Sequence, residues 1–568
     1  MVRFAQTTNS TAKKERLFYD HTILRYNLPM RLKLNKHLLV GLVSSGLMSL
    51  TIANQANAAE VFWQGGDGDW SSPHWGGSAG TSGTSNFVSG TDQAFFRNPA
   101  ASGNISITSD TIVNGWILID LGAKMSFDLQ EGTTLSTTTA NNGGKLVVRN
   151  AGGSELTLKG SGTLALAGSL ELAHTSSVLN ITDSVLVTTT NTSVQGGTLN
   201  ISGGTLTTNR LGLSDGANSC TFNMTGGLVN ITGTTNNEPN KGNNSFVLGH
   251  YSNQTSTVQH SAGIINALGA ELFLCKDGNS VYNLLDNGIL NVLGINAANA
   301  NHSTFNLGYD ANDASIKGGR LNIGAEGIKT QQTYNFGNGT VGALASWSST
   351  VNITLKSSTG TLFDTTIQSV DQATGTSSDS NLGANIVLSG ILSGSGKLLV
   401  SGKGSLTLAG NNDFQGGTEI RQGSLIANHN NALGTGHLLI SGGSLNISND
   451  IALTVKSLQI DIANANTPES PYITLGTNSS LVIQEGGLSI NINFVGDIDQ
   501  EYVFNLVSDN SNWDDSIFSF TENTLNNWEF IGFDQSTGNL TMKAIPEPTT
   551  TTLSLLGLGA LMIRRRRK

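Results

Sequence analysis

Carboxylates repeated at equivalent positions are the first place to look for chemistry in this chain. Asp215, Asp277 and Asp310 each follow a Leu-Gly-like step in copies of one recurring segment, which places them in equivalent turns. Cleavage of a sugar chain needs two or three carboxylates, or a carboxylate with Arg or Lys, converging on one groove. No Arg or His shares that register along the sequence, and Asp is common in turns because its side chain satisfies the local backbone. His250, His260 and His302 show no metal-ligand spacing. Cys220 and Cys275 have no partnered His, and leave two options open, one disulfide or two buried thiols. Gly65 to Trp70 approaches the calcium nonapeptide G-G-x-G-x-D, yet Trp70 stands where Asp is required and the motif does not recur. The expectation is a protein that is not an enzyme and holds neither metal nor cofactor.

Composition points the same way. Over 568 residues only 12% are charged and 6% aromatic, while Gly numbers 69 and Pro 8. The apolar residues occur in short alternating runs bounded by Gly, Asn, Ser and Thr, which predicts many short strands and turns. Amphipathic patterns long enough for helices are hard to find between Glu60 and Ala544. The formal net charge is -10, and eight of the 30 basic residues precede Ala59 while five follow Pro548. The body between is therefore more acidic than the whole, which excludes nucleic acid as a partner.

Such strands must belong to a repeat array, because one unit recurs. Its copies end in Leu-Val229-Asn230-Ile231, Ile-Ile265-Asn266-Ala267, Ile-Leu290-Asn291-Val292 and Arg-Leu321-Asn322-Ile323, with related strands at Leu199-Asn200-Ile201 and Leu445-Asn446-Ile447. The apolar residues flanking each Asn share one face, the core stripe. A unit this small is stabilised only by stacking on its neighbours. Stacked in parallel, Asn200, Asn230, Asn266, Asn291, Asn322 and Asn446 are expected to form a hydrogen-bonded amide ladder.

Both ends carry addressing signals. A basic stretch from Arg31 to His37 precedes an apolar run, Leu38 to Ile52, and then Ala56-Asn57-Ala58, the three parts of a secretory signal peptide cut after Ala58. Residues 1–58 form this leader, whose true start is Met1 or Met30. At the other end Pro546-Glu547-Pro548 is followed by four Thr, an apolar run from Leu553 to Ile563, and Arg564, Arg565, Arg566, Arg567 and Lys568. A polar break, an apolar helix and a basic stop hold an exported chain transiently in the membrane. The tail, 545–568, resembles the PEP-CTERM sorting signal. That resemblance implies recognition by an exosortase-type processing enzyme and delivery to the cell surface or an extracellular matrix.

From Leu392 the pattern sharpens, through Gly402-Lys-Gly404-Ser-Leu406-Thr-Leu408-Ala-Gly410-Asn411-Asn412-Asp-Phe414 to Gly442-Gly443-Ser-Leu445. It resembles the autotransporter-associated β-strand repeat, which implies a passenger-type right-handed parallel β-helix. No C-terminal barrel of alternating ten-residue strands accompanies it. The Trp/Gly-rich opening, Val61 to Phe95, is similar to the start of many proteins with such repeats, and reads as a cap over the exposed end of the stack rather than a sugar-stacking surface. The expected fold is all-β, a parallel solenoid over 143–465, preceded by an N-terminal cap and first strands over 59–142 and followed by a C-terminal β cap over 466–544. The expected function is a secreted structural or adhesive rod of the bacterial surface, with extracellular polysaccharide or surface components as partners. The alternative is a β-helical protein that binds or degrades carbohydrate.

Overall fold

A computed structural model describes residues 59–546, except 81–82, 151, 235–244, 312, 314–317, 465–470, 486 and 509–512. These residues belong to the unit Ala56–Lys568. They are nearly all β. The alternation in sequence becomes alternation in burial. In Lys124–Leu129, for instance, Met125, Phe127 and Leu129 point inward and Lys124, Ser126 and Asp128 outward.

Nearly every strand pairs in parallel with a strand one coil further along the chain. Ile181, Ile201 and Met224 are register partners, and so are Val400, Ile420, Ile440, Ile460 and Ile490. Like therefore stacks on like, and Val229, Ile231, Leu290, Val292, Leu321 and Ile323 are all fully buried. Long strands such as Thr255–Phe273 and Asn279–Asn296 run through two successive ladders. The parallel pairing also runs beyond the range 143–465. It already joins Gly103–Ile107 to Lys124–Leu129, and it still joins Leu488–Ile492 to Phe518–Phe520. The second of these even carries the apolar-Asn-apolar pattern, Ile490-Asn491-Ile492, outside the range expected to be solenoid.

The two ends of the ladder are closed by aromatic side chains and antiparallel pairs. Glu60–Trp63 pairs antiparallel with Trp75–Gly76 and parallel with Gln93–Phe96. Trp63, Trp70 and Trp75 pack on one another and on Phe96 and Phe127, with ring centroids 5.2 to 6.4 Å apart. All three Trp are at most 2% exposed, so these rings cover core and offer no platform to a ligand. At the far end Glu501–Asn505, Trp528–Asp534 and Asn539–Ala544 form an antiparallel sheet, with Trp528 packed against Phe494, Tyr502 and Phe504.

One hairpin leaves the stack. Thr361–Val370 begins in the parallel ladder and then pairs antiparallel with Ser377–Gly383. At its tip the Gln372 backbone carbonyl accepts from Asn266 Nδ2 at 3.5 Å. Gln372 Nε2 in turn donates to the Ile231 carbonyl at 3.5 Å. Gly375, with φ +72°, lies where an added Cβ would sit 2.9 Å from Leu228 and 3.1 Å from Ile264. The hairpin thus folds back across the outward side of earlier coils.

Beneath it runs a buried amide ladder. Asn266 donates to Asn230 at 3.2 Å, Asn291 to Asn266 at 2.8 Å, and Asn322 to Asn291 at 2.7 Å. Arg320 Nε closes the row on Asn322 Oδ1 at 2.9 Å, while Arg320 Nη2 holds Asp364 at the hairpin base at 2.8 Å. Gly342 is the next register partner, and a Cβ there would lie 2.2 Å from Asn322 Oδ1, so the row must end on glycine. Asn291→Asp would set an anionic oxygen against the Asn266 carbonyl in a fully buried site. The expected loss is about 3 kcal/mol in chemical denaturation. The same change at exposed Asn385, whose Oδ1 only accepts from Ser405, should stay within about 0.5 kcal/mol. Equal losses at the two positions would show that the buried row does not contribute.

His260 and Tyr282 lie fully buried on neighbouring coils. His260 Nε2 donates to the Gly263 carbonyl at 3.0 Å, which leaves Nδ1 to accept from the Tyr282 hydroxyl at 3.0 Å. Burial lowers the imidazole pKa from 6.5 to about 4, against the opposing effect of the Gly263 bond. Between these values the unfolded chain takes up a proton that the folded chain refuses, so stability falls as pH drops from 6.5 to about 4 and this contribution then levels off. The loss from this one group is on the order of 3 kcal/mol. In His260→Gln, denaturation at pH 7 and pH 4.5 should differ by correspondingly less than in the parent chain. An unchanged difference would mean that the ring is not held neutral.

Candidate functional site

A second amide row stands on a different ladder and is only half covered. Asn200 donates to Asn180 at 2.8 Å and Asn223 to Asn200 at 2.9 Å. Further along, Asn283 donates to Gln259 at 3.1 Å, Asn306 to Asn283 at 2.7 Å, and Asn335 to Asn306 at 2.9 Å. Two residues before each amide on the same outward face stand Val178, Thr198, Thr221, Thr257, Val281, Thr304 and Thr333. Over this row opens a cleft of about 410 Å³ lined by Gln259, Asn283, Asn306, Asn335 and Tyr309. A second cleft, of about 370 Å³, is lined by Tyr309, Asn338 and Lys356. Tyr309 and Asp310 border both, and the Lys356 ammonium lies 5.6 Å from the centre of the Tyr309 ring.

The six asparagines expected in one ladder are thus divided. Asn230, Asn266, Asn291 and Asn322 share the buried row. Asn200 belongs to the half-covered row. Asn446 has Ile426 and Thr474 as register partners and donates to Ser424 at 2.6 Å. The apolar-Asn-apolar pattern marks an outward amide on any wall, and so cannot say which wall. Sequence reasoning also passed over Asn412, a buried amide that accepts from Leu392 N at 2.8 Å and donates to the Ala432 carbonyl at 2.7 Å, tying three coils together.

A charged corner corrects the expectation that no Arg or His shares the register of Asp215. Arg210 grips the Asp215 carboxylate with both terminal nitrogens, at 2.7 and 2.8 Å, and Ser193 Oγ donates to it at 2.8 Å. From the following coils His250 Nδ1 also bonds Asp215, and Lys276 Nζ lies 2.9 Å from His250 Nε2. The intervening coil is 35 residues long, so this proximity was hidden in the sequence spacing. Burial alone would raise the Asp215 carboxyl, but the bonds from Arg210 and His250, the Arg210 charge and the Ser193 bond outweigh it and hold it well below the usual carboxylate range. Asp277 lies exposed one residue beyond Lys276, and Asp310 belongs to the clefts described above. The corner holds a single carboxylate, already satisfied by three donors.

Cys220 and Cys275 are both free and buried, and Cys220 sits among Ser214 and Ser256 with its thiol pKa raised by burial. Among the described residues no group of three or more His, Cys, Asp or Glu is placed to hold a metal ion, and no helix is long and apolar enough to cross a membrane. Of the sorting motif only Pro546 is described, and it is exposed. Glu547, Pro548, Arg564, Arg565, Arg566 and Arg567 lie outside the described residues, as do Ala56 and Ala58.

Comparison with known families places one match on this frame. Residues 398–427 match the model of the passenger-associated-transport-repeat. They comprise Leu398–Ser401, Ser405–Leu408, Thr418–Ile420 and Ser424–Ala427, two coils in register on each other, with buried Asn412 and Phe414 in the turn between them. Neither the curated proteins nor the solved structures contain a match to this chain.

Proposed function

We propose that this chain is a secreted bacterial surface protein, a right-handed parallel β-helix closed at both ends, that serves a structural or adhesive role outside the cell. The observation that carries the reading is the passenger-associated-transport-repeat at 398–427, seated on coils that continue the same register in both directions. Parallel strands joined by crossovers are almost always right-handed, which supplies the handedness. The half-covered amide row gives such a protein a long, nearly neutral contact surface. A signal peptide ending at Ala58 would start export, and the tail from Ile545 would hold the chain in the membrane for an exosortase-type enzyme.

The charged corner is a feature that could suggest a degrading enzyme, and its chemistry argues against that role. General acid catalysis on a glycosidic oxygen needs a carboxyl held protonated near neutral pH. Asp215 is instead pinned as a carboxylate by Arg210, His250 and Ser193. We read it as a stacked ion cluster that fixes the corner of three coils.

Mass spectrometry of the mature protein from its own host tests the sorting step. Proline resists continuing a helix, and a processing cleft binds extended backbone, so the composition of Pro546-Glu547-Pro548 suits a processing site. The recovered chain should end near this tripeptide and begin near Ala59. Replacing Glu547 and both prolines by Ala should leave the protein exported, uncut and membrane-bound, whereas removing Arg564 to Lys568 should release it unprocessed. Recovery of an unaltered mature chain still ending at Lys568 would replace sorting by a simple tail anchor.

A further inference from the structure

Two amide rows of the same construction meet different fates, and the difference points to a ligand. The row at Asn230–Asn322 is covered by the hairpin of the chain itself. The row Gln259–Asn283–Asn306–Asn335 opens into a cleft of about 410 Å³. Along that row each later amide donates one N–H to the carbonyl before it. Asn283 and Asn306 therefore each keep one N–H and one acceptor lone pair for a partner. These donor–acceptor pairs recur at the strand spacing of about 4.8 Å, over four coils. The partner that matches them carries groups that both donate and accept, spaced along a chain, and bears no charge of its own.

Vicinal hydroxyls of a sugar chain have that chemistry. Tyr309 supplies the second element such a ligand uses, an aromatic ring at the edge of the amides, whose face packs on the C–H side of a pyranose. Lys356 lies against that ring and continues the path into the second cleft, which Tyr309 also lines. The geometry points to a binding groove for a neutral linear polysaccharide, with Gln259, Asn283, Asn306 and Asn335 as its floor and Tyr309 as its stacking platform. This rests on the adhesive reading above and names what is adhered to. An anionic glycan fits less well, because the floor is uncharged amide and Asp310 stands at the rim shared by both clefts.

The test is calorimetric titration of the purified mature full chain with three hexasaccharides: one of glucose, one of N-acetylglucosamine and one of galacturonic acid. At least one neutral chain should bind, with little dependence on salt. Tyr309→Ala should weaken it about tenfold. Tyr309→Phe should bind like the parent, since the ring and not the hydroxyl does the packing. Thr198→Ala, on the same outward face but outside the cleft, should also leave binding unchanged. Thermal unfolding of every variant, matched to the parent, shows that lost binding is not lost fold. Preference for galacturonate, no binding of either neutral chain, or full binding by Tyr309→Ala each overturns the proposal. Fractionation of the host separates this from the wider reading. A protein at the surface that binds no glycan sinks only the groove, and one retained inside the cell sinks surface display whatever it binds in the calorimeter.

Discussion

In a parallel stack every outward side chain faces its own counterpart about 4.8 Å away, one coil on. Whatever stands at a position must therefore tolerate a copy of itself. Apolar residues inward meet this condition by packing, as the column Val400, Ile420, Ile440, Ile460, Ile490 does. Outward, like charges directly opposite would repel. An amide escapes this because it is donor and acceptor at once, so a row of Asn satisfies itself without a partner of another kind. The low charged fraction of the chain, 12%, follows from the same condition. Where charges do meet they are paired with the opposite sign, as Arg210 with Asp215 at one corner and Lys397 and Arg421 with Glu419 at another.

That condition also explains how much could be read beforehand. Strands, turns and the core stripe were legible because alternation and glycine placement are local properties, and Val229, Ile231, Leu290 and Val292 are buried as their spacing implies. The identity of each wall was not. Asn200 and Asn230 sit in the same local pattern yet belong to different rows, because coil length decides which wall a strand reaches. The Asp215 corner was hidden for the same reason, since Asp215 and His250 are brought together only by closing a coil of 35 residues. The hairpin at Thr361–Gly383 was hidden too. It falls within the range 143–465 expected to be solenoid, and nothing in its Thr, Ser and Asp marks the antiparallel register that folds it away from the stack.

A stack of this kind has a cost at its ends, where core and strand edges would face water. The chain spends its largest side chains there. Trp63, Trp70 and Trp75 close one end and Trp528 the other, whereas the intervening coils are filled chiefly by Leu, Ile and Val, with Trp347, Tyr282 and Tyr334 among the exceptions. Antiparallel pairs appear at both ends because they break the register that would otherwise continue into another molecule. Burial of the three N-terminal Trp takes their rings out of consideration for sugar stacking and moves attention to Tyr309, which is only half buried.

Position of the hairpin then decides which face of the molecule is available. Asn266 and Asn283 have the same side chain, the same outward direction and the same donor–acceptor relation to their neighbours. The first meets the Gln372 carbonyl and is fully buried, so its remaining capacity is used within the chain. Asn283 lines an open cleft beside Tyr309. Arg320 links the covered row to its cover, since it closes the row on Asn322 and anchors the hairpin through Asp364. Both rows take their regular spacing from the parallel pairing of their own strands, Gln259 on Asn283 on Asn306 on Asn335 along the open one and Asn266 on Asn291 on Asn322 along the covered one. The same two strands, Thr255–Phe273 and Asn279–Asn296, carry both rows, so one register serves a wall that the chain covers and a wall that it leaves open.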